Sequence, residues 1–361
     1  MLSYKGPFND NGESNLKSLN HPKVKVLGTG GTIASMGNSS SQTAGYTIGL
    51  TIEDLMSKIP ELSPVCDVDF EQVLNKESNK FGTEDILTLH KKVACNISDY
   101  DGIVITHGTD TMEESAFFLQ MTIDTEKPVV FCGSMRPASA ISCDGPMNLY
   151  QAIVIAANKA SRGRGVLVSL NDKIGSGFYV TKSNANSLDT FKAVDQGYVG
   201  CFVDDEIHYF FPPSKPLGVT YFDIKKALEL GTLPEVPILY AHQGFNDKLI
   251  ELVFEHLQVL GLVMAGLGAG CLSDSTDKML ADISHRYNEC PIVYSRRTMD
   301  GMVPKSALPM IHNNNRLSFS PNAVASGYLN PQKARILLQL CLVTNMTTRE
   351  VKKIFGRVYG G

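Results

Sequence analysis

The chain has 361 residues, of which 43% are apolar and 19% charged, and 33 basic against 37 acidic side chains give a net charge of −4. This length predicts two domains, and no apolar run is long enough to span a membrane. The slightly acidic balance offers no basic surface for nucleic acid or anionic lipid, so the expected partner is a small molecule.

Residues 1–22 are expected to form a flexible arm, because this polar stretch lacks the apolar core of a secretory signal. The eight cysteines are scattered singly, without a C-x-x-C pair. That distribution favours reduced thiols in an intracellular protein over a disulfide framework. Together these features predict a cytoplasmic protein.

The first predicted strand, residues 23–27, leads into the turn Gly-Thr-Gly-Gly-Thr-Ile-Ala at residues 28–34. Its glycines permit a tight turn whose N–H groups can approach a ligand oxygen. Two interpretations stay open. The turn could bind a dinucleotide, although Ile33 occupies the third position of G-x-G-x-x-G, or Thr32 could be a nucleophile beside N–H groups that stabilise an oxyanion.

A loop rich in Ser, Gly and Thr follows at residues 36–49 and carries one aromatic residue, Tyr46. Loops of this kind beside a rigid sheet often carry function, so Tyr46 either packs against the core or takes part in chemistry. After a helix and a strand, the polar turn at residues 75–82 brings Ser78 and Asn79 into the chain.

The central stretch is an apolar, β-branched run at residues 103–105, which predicts a buried strand that Gly108 allows to turn. Asp110 and Glu113 have the spacing of a capping box and predict a helix that begins at Asp110. Thr109 and Asp110 would then lie at the carboxyl end of a strand, where small ligands bind in α/β sheets. They either take part in chemistry or only cap the helix.

Further alternation of strands and helices as far as residue 170 predicts a mostly parallel sheet covered by helices. The alternation stops near Lys182, which is either a surface charge or a functional group. The Pro/Gly-rich segment 213–234 predicts a linker. It would join an N-terminal catalytic α/β domain, residues 23–212, to a smaller C-terminal α/β domain, residues 235–361.

The sequence also lacks several well-known sites. No histidine lies in H-E-x-x-H or beside a cysteine pair, so neither a metal nor a cofactor is expected. Without G-x-S-x-G a Ser-His-Asp hydrolase is disfavoured, and His107 is assigned to the turn rather than to general-base catalysis. What remains is a set of hydroxyl groups with two charged partners: Thr32, Tyr46, Ser78, Thr109, Asp110 and Lys182.

Two signatures, residues 28–34 and Thr-His-Gly-Thr-Asp-Thr at 106–111, each end a predicted strand. Together with Gly-Ser-Met-Arg-Pro at 133–137, Asp-Gly-Pro-Met-Asn at 144–148 and Leu-Asn-Pro-Gln-Lys-Ala-Arg at 329–335, they resemble the bacterial-type L-asparaginases, above all the fungal, yeast-type branch. The resemblance runs from about residue 23 to the C-terminus. It implies the two-domain α/β fold of that family.

The resemblance also implies an activity, the hydrolysis of L-asparagine to L-aspartate and ammonia without metal or cofactor. Thr32 would be the primary nucleophile and form the acyl-enzyme, and Tyr46 would assist its proton transfer. Thr109, Asp110 and Lys182 would form a second catalytic group. A threonine hydroxyl is a weak nucleophile unless a neighbour takes its proton, which agrees with this assignment.

Substrate binding carries over in part. Ser78 matches the serine that holds the α-carboxylate, and Asp110 the aspartate that meets the α-amino group. Asn79 stands where many members have glutamine. Many members have asparagine near Cys271, and Leu308 lies near the point where a neighbouring subunit often supplies a glutamate.

The family is typically a homotetramer of close dimers, which we carry over as an expectation. The three departures bear on recognition of the α-amino group and on glutaminase side activity. An amidohydrolase of other specificity, such as a glutaminase, therefore stays open, as does a non-catalytic asparagine-binding protein. A nucleotide-dependent oxidoreductase has only the glycine turn in its favour.

Overall fold

The computed structural model describes residues 21–60, 62–217, 219–287, 290–313 and 316–358. Almost all of the arm expected at residues 1–22 lies outside these ranges. The chain divides into two compact units. Unit 1 extends to Lys215 except for Gly82–Leu87 and Phe117–Asp124, which belong with residues from Pro216 onward to unit 2.

An eight-stranded sheet forms the centre of unit 1. The strands of this unit are, in chain order, β1 Lys23–Gly28, β2 Ser35–Met36, β3 Thr47–Ile48, β4 Asp67–Gln72, β5 Gly102–Thr106, β6 Val129–Cys132, β7 Val166–Leu170, β8 Lys173–Ser176, β9 Thr181–Lys182, β10 Phe191–Lys192, β11 Gly200–Val203 and β12 Glu206–Tyr209. Across the large sheet the order is β12-β11-β8-β7-β6-β5-β1-β4. Strands β7, β6, β5, β1 and β4 are parallel, which confirms the prediction of a mostly parallel sheet.

The buried central strands explain why the sequence shows continuous apolar runs here. Every residue of β5, β6 and β7 is buried, as is usual for parallel strands covered by helices. Helix α4, Gly145–Ala157, packs against β1, β5, β6 and β7. The other helices in this part of the chain are α1 Ile52–Met56, α2 Thr83–Asn96 and α3 Met112–Thr122.

Three neighbouring strands end at one edge of the sheet. Gly28, the last residue of β1, pairs with Gln72 at the end of β4 and with Thr106 at the end of β5. The turns that follow these strands carry five of the predicted site residues, Thr32 after β1, Ser78 and Asn79 after β4, and Thr109 and Asp110 after β5. The register therefore brings three separate segments of the chain to one carboxyl edge.

The turns after β1 and β5 touch through their backbones. Gly31 has a φ of 84°, and a Cβ at this position would lie 2.4 Å from Gly108 Cα. A Cβ on Gly108 would in turn lie 2.6 Å from Ser78 Oγ. Only glycine fits at both positions, because a side chain would force the turns apart.

Unit 1 differs from the sequence prediction at the start of one helix and in several short strands, among them β2 and β3 in the segment predicted as a loop. Helix α3 begins at Met112, so the prediction that it begins at Asp110 is wrong. The strands from β8 to β12 were not predicted. Strands β7 and β8 form a hairpin through Asn171 and Asp172, both with positive φ as in a type I′ turn. That dipeptide was the available signal, but strands this short show no clear periodicity.

Unit 2 contains a second, smaller parallel sheet, whose strands lie in the order β13 (Ile238–Tyr240), β14 (Leu262–Gly266), β15 (Ile292–Arg296) and β18 (Ala323–Ala325). Its apolar core includes Phe254, Met264 and Leu280. None of the helices in the described ranges is long and apolar enough to cross a membrane. The remaining elements are α5 Lys225–Leu230, α6 Lys248–His256, α7 Asp274–Arg286, β16 Met310–Asn313, β17 Arg316–Phe319, α8 Pro331–Val343 and α9 Thr348–Val358.

The contact between Gly31 and Gly108 predicts an unusually costly glycine substitution. Gly31→Ala should lower the free energy of unfolding by about 3 kcal/mol or more, because backbone strain and a backbone clash add together. Gly197→Ala is the matched control, since Gly197 has a φ of 73° and open space around it. It should cost only about 1 kcal/mol. Urea denaturation of both variants measures the difference, and equal costs would contradict the packing argument.

Candidate active site

Thr32 begins a short 3-10 turn directly after the glycines that follow β1. This turn spans only Thr32–Ala34 before β2 begins. A dinucleotide-binding turn would instead lead into a helix whose N-terminus faces the pyrophosphate. The dinucleotide interpretation therefore loses its support. Ser35 Oγ donates to the carbonyl of Gly31 at 3.0 Å and fixes the backbone just before Thr32.

Tyr46 is the last residue of a surface loop, and its side chain contacts Thr32. We name residues 37–46 the flap. It connects β2 to β3, which pair antiparallel at its base. Tyr46 is half-buried, and its Oη lies 3.0 Å from Thr32 Oγ1, so the two hydroxyls share a hydrogen bond. The phenol oxygen is therefore close enough to exchange a proton with the threonine.

Lys182 joins Thr109 and Asp110 into a second group. Its Nζ donates to Thr109 Oγ1 at 3.0 Å and to Asp110 Oδ1 at 2.6 Å. The Lys182 side chain is 16% exposed, against 61% for Asp110, so the ammonium group lies inward of the carboxylate. The backbone N–H of Lys182 also donates to Glu113 Oε1 at 3.4 Å. Glu113, predicted only as a capping residue, thus helps to hold β9.

Ser78 lies on the turn after β4, in the 3-10 segment Ser78–Lys80. It is buried, and its carbonyl accepts a hydrogen bond from Thr111 Oγ1 at 3.0 Å. Asn79 is exposed on the same turn. The bond to Thr111 ties the Ser78 turn to the start of α3, next to Thr109 and Asp110.

The carboxyl edge thus carries two hydrogen-bonded groups and one serine turn. Thr32 with Tyr46 forms the first group, and Lys182 with Thr109 and Asp110 the second. The predicted capping box at Asp110 is wrong. Asp110 lies two positions before Met112, where α3 begins, and its carboxylate bonds to Lys182 instead. In the described part of the chain, no three His, Cys, Asp or Glu side chains cluster as a possible metal site.

The two remaining departures from the family pattern lie in unit 2. Cys271 is exposed on the turn after β14, where its N–H and carbonyl both bond to Leu267 at 2.8 Å. Leu308 is buried in the apolar core of this unit. Leu308 therefore serves packing there.

His107 is fully engaged behind the second group. It is buried against Phe81 and Phe131, with ring centroids 4.6 and 5.8 Å away. Its Nδ1–H donates to the Gly108 carbonyl at 2.8 Å, and Nε2 then accepts from Ser115 Oγ at 2.9 Å. Burial lowers the pKa of His107 to about 4, and the bond to Gly108 opposes this shift only in part. The ring is neutral at pH 7 and stabilises the turn, in agreement with the sequence assignment.

The lowered pKa of His107 predicts a pH-dependent loss of stability. Between about pH 6.5 and pH 4 this histidine is protonated in the unfolded chain but not in the folded protein. The free energy of unfolding therefore falls as the pH falls. Over this interval the wild type should lose about 3 kcal/mol more than His107→Gln, which has no ring to protonate. The exposed control, His208→Gln, should behave as the wild type. Denaturant unfolding at several pH values tests this, and parallel curves for wild type and His107→Gln would refute it.

Comparison with known proteins finds relatives over most of the chain. A family model described as "Asparaginase, N-terminal" matches residues 23–215, and one described as "Glutaminase/Asparaginase C-terminal domain" matches residues 235–355. L-asparaginase 2-3 of Saccharomyces cerevisiae is 47% identical over 347 residues, covering 96% of this chain and 92% of the relative. L-asparaginase 2 of Escherichia coli is 40% identical over 342 residues, 93% of each chain.

A solved structure agrees with these sequence matches. The probable cytoplasmic L-asparaginase from Campylobacter jejuni superposes with a TM-score of 0.84 at 35% identity, covering 93% of this chain and 99% of that one. The fold, both family models and the relatives indicate the same family over nearly the whole length of the chain. The chain belongs to the asparaginase family.

Proposed function

We propose that the protein is an L-asparagine amidohydrolase, which hydrolyses L-asparagine to L-aspartate and ammonia at the carboxyl edge of its large sheet. One observation carries the proposal: two threonine hydroxyls at this edge each bond to a different proton-bearing group, Tyr46 for Thr32 and Lys182 for Thr109. The yeast and E. coli relatives are named L-asparaginases, which supports the choice of substrate.

In the first half of the reaction, Thr32 Oγ1 attacks the carbon of the side-chain amide. Its proton moves to Tyr46 Oη, 3.0 Å away, while Tyr46 passes its own phenolic proton on toward the leaving nitrogen, because a neutral hydroxyl is a weak nucleophile unless a neighbour accepts its proton. Backbone N–H groups beside Thr32 stabilise the oxyanion. The proton then reaches the leaving nitrogen, the C–N bond breaks, and ammonia departs from an acyl-enzyme on Thr32.

In the second half, water attacks the acyl carbon and the bond to Thr32 Oγ1 breaks. The proton of the water returns to that oxygen, which releases L-aspartate and restores the threonine. Thr109 orients the attacking group, and the ammonium of Lys182 holds the Thr109 hydroxyl in one direction. Asp110 fixes Lys182 through the shortest bond of the group, at 2.6 Å.

Substrate recognition uses the same turns. Ser78 donates to the α-carboxylate, and the exposed carboxylate of Asp110 meets the α-ammonium group, with Asn79 beside them. The α-carboxylate of the substrate thus meets a hydrogen-bond donor, and its α-ammonium group meets a carboxylate. Glutamine is the second candidate substrate, because the matching C-terminal model is described as glutaminase as well as asparaginase.

The proposal extends to assembly and location. We propose a homotetramer of close dimers in the cytoplasm, as the family resemblance implies. The Campylobacter jejuni neighbour, titled a probable cytoplasmic L-asparaginase, supports the location. Sedimentation of the purified chain measures the assembly, and a monomer with full activity would contradict it.

Removing either threonine hydroxyl should abolish turnover. Thr32→Ala and Thr109→Val should each reduce ammonia release from L-asparagine about 10³-fold or more, because Thr32 forms the bond to the acyl carbon and Thr109 orients the attacking water. Thr43→Ala, an exposed threonine of the flap, should keep wild-type activity. The assay runs with L-asparagine and L-glutamine in parallel. A wild type that releases ammonia from neither amide would overturn the proposed activity and favour a binding protein.

Removing the Lys182 ammonium should damage the second group without unfolding the protein. Lys182→Met should reduce kcat about 10²-fold or more, since Thr109 loses its orienting bond. Lys192→Met is the matched control, because Lys192 pairs with Thr181 across β9 and β10 but bonds to Asp189. It should keep wild-type kcat. Equal activity of the two variants would show that Lys182 has no part in turnover.

A further inference from the structure

The flap contains a polar side chain whose contacts the proposed reaction does not use. Gln42 Oε1 accepts a hydrogen bond from the backbone N–H of Asn38 at 2.6 Å. Its Nε2 donates to the carbonyls of Ala44 at 2.8 Å and Gly45 at 2.9 Å. One amide group therefore joins the first part of the flap to the two residues directly before Tyr46.

We infer that Gln42 is a positioning residue, which holds Tyr46 in the direction that places its hydroxyl on Thr32. The inference rests on the proposed function, in which Tyr46 exchanges a proton with Thr32. Gly45 has a φ of 66°, so its peptide groups could turn several ways without the Gln42 bonds. Fixing the carbonyls of Ala44 and Gly45 fixes the backbone from which the Tyr46 side chain starts.

The rest of the flap supplies little that could replace this amide. Asn38, Ser39, Ser40, Ser41, Thr43, Ala44 and Gly45 are all exposed, so apolar packing does not hold them. Gly37 makes room for the amide, because a Cβ there would lie 3.0 Å from Gln42 Oε1. A loop of small polar residues without such a bond would have many conformations.

Two further hydrogen bonds attach the flap to the segment between β6 and α4. The N–H of Gly37 donates to Ser139 Oγ at 2.7 Å, and the N–H of Ile141 donates to the carbonyl of Ser40 at 2.8 Å. Both anchor residues of the flap, Gly37 and Ser40, precede Gln42 in the chain. The amide therefore transmits this attachment across the flap to the residues before Tyr46.

The chemistry of the side chain makes the inference testable with an isosteric change. An amide donates through nitrogen and accepts through oxygen, and these contacts need both. In Gln42→Glu the carboxylate still accepts from Asn38 but faces the two carbonyls with lone pairs only. Gln42→Met keeps the length of the side chain and loses all three bonds.

Steady-state hydrolysis of L-asparagine by the full-length chain provides the test. Gln42→Glu and Gln42→Met should each lower kcat about tenfold, with a smaller change in KM. Ser41→Ala, which loses only a surface bond to Ser39, should match the wild type. Ser41→Ala should leave the free energy of unfolding unchanged, and the two Gln42 variants should lower it by no more than about 1 kcal/mol, because the flap lies outside the core and its bonds are exposed to water.

A double-mutant cycle with Tyr46→Phe separates positioning from other roles. Tyr46→Phe alone should lower kcat, and adding Gln42→Met should lower it no further. Independent, multiplicative losses would overturn the inference while leaving the proposed function intact, as would a wild-type kcat in Gln42→Met. If Tyr46→Phe itself keeps wild-type kcat, the proposed role of Tyr46 fails and the inference fails with it.

Discussion

The backbone contact between Gly31 and Gly108 is the constraint on which the edge of the large sheet depends. Strand β1 lies between β4 and β5, and Thr29 reinforces the register because its N–H and its Oγ1 both donate to the carbonyl of Thr106. The two turns therefore begin at one level and meet where neither has a side chain. The spacing between the segments that carry Thr32 and Thr109 is thus set by main-chain packing, which is far less compressible than a pair of flexible side chains.

The parts around this contact differ in how they are held. Thr109 is buried on the sheet edge, and His107 supports its turn from the interior without a charge. Tyr46 is carried instead by a largely exposed flap that hydrogen bonds help to keep in place. Such bonds contribute about 1 kcal/mol each in water, so a flap can open for substrate and close again. A rigid edge and a tyrosine on a weakly held flap suit the proposed reaction, which must admit a small molecule and then exclude solvent.

Features that depend on residues close together in the chain were predicted correctly, and features that depend on distant partners were not. The strand before Thr109 was predictable because its apolar run and the glycine after it lie close together in the chain, and the assignment of Thr32, Thr109 and Asp110 rests on short motifs shared with the asparaginases. The start of α3 was misplaced because Asp110 has the composition of a cap but bonds to a lysine 72 residues away. The strands from β8 to β12 were missed because their pairing partners, rather than their own periodicity, define them.

The sequence by itself determined the α/β class, the mostly parallel sheet, the family and the identity of the polar groups, because these depend on local patterns of apolar residues, glycines and hydroxyls. Only the tertiary structure decided which distant groups meet: Tyr46 with Thr32 across 14 residues, and Lys182 with Thr109 across 73. The physical reason is that strand order and register are set by packing over the whole sheet. A polar side chain in a turn carries no local signal of the partner that such packing brings to it.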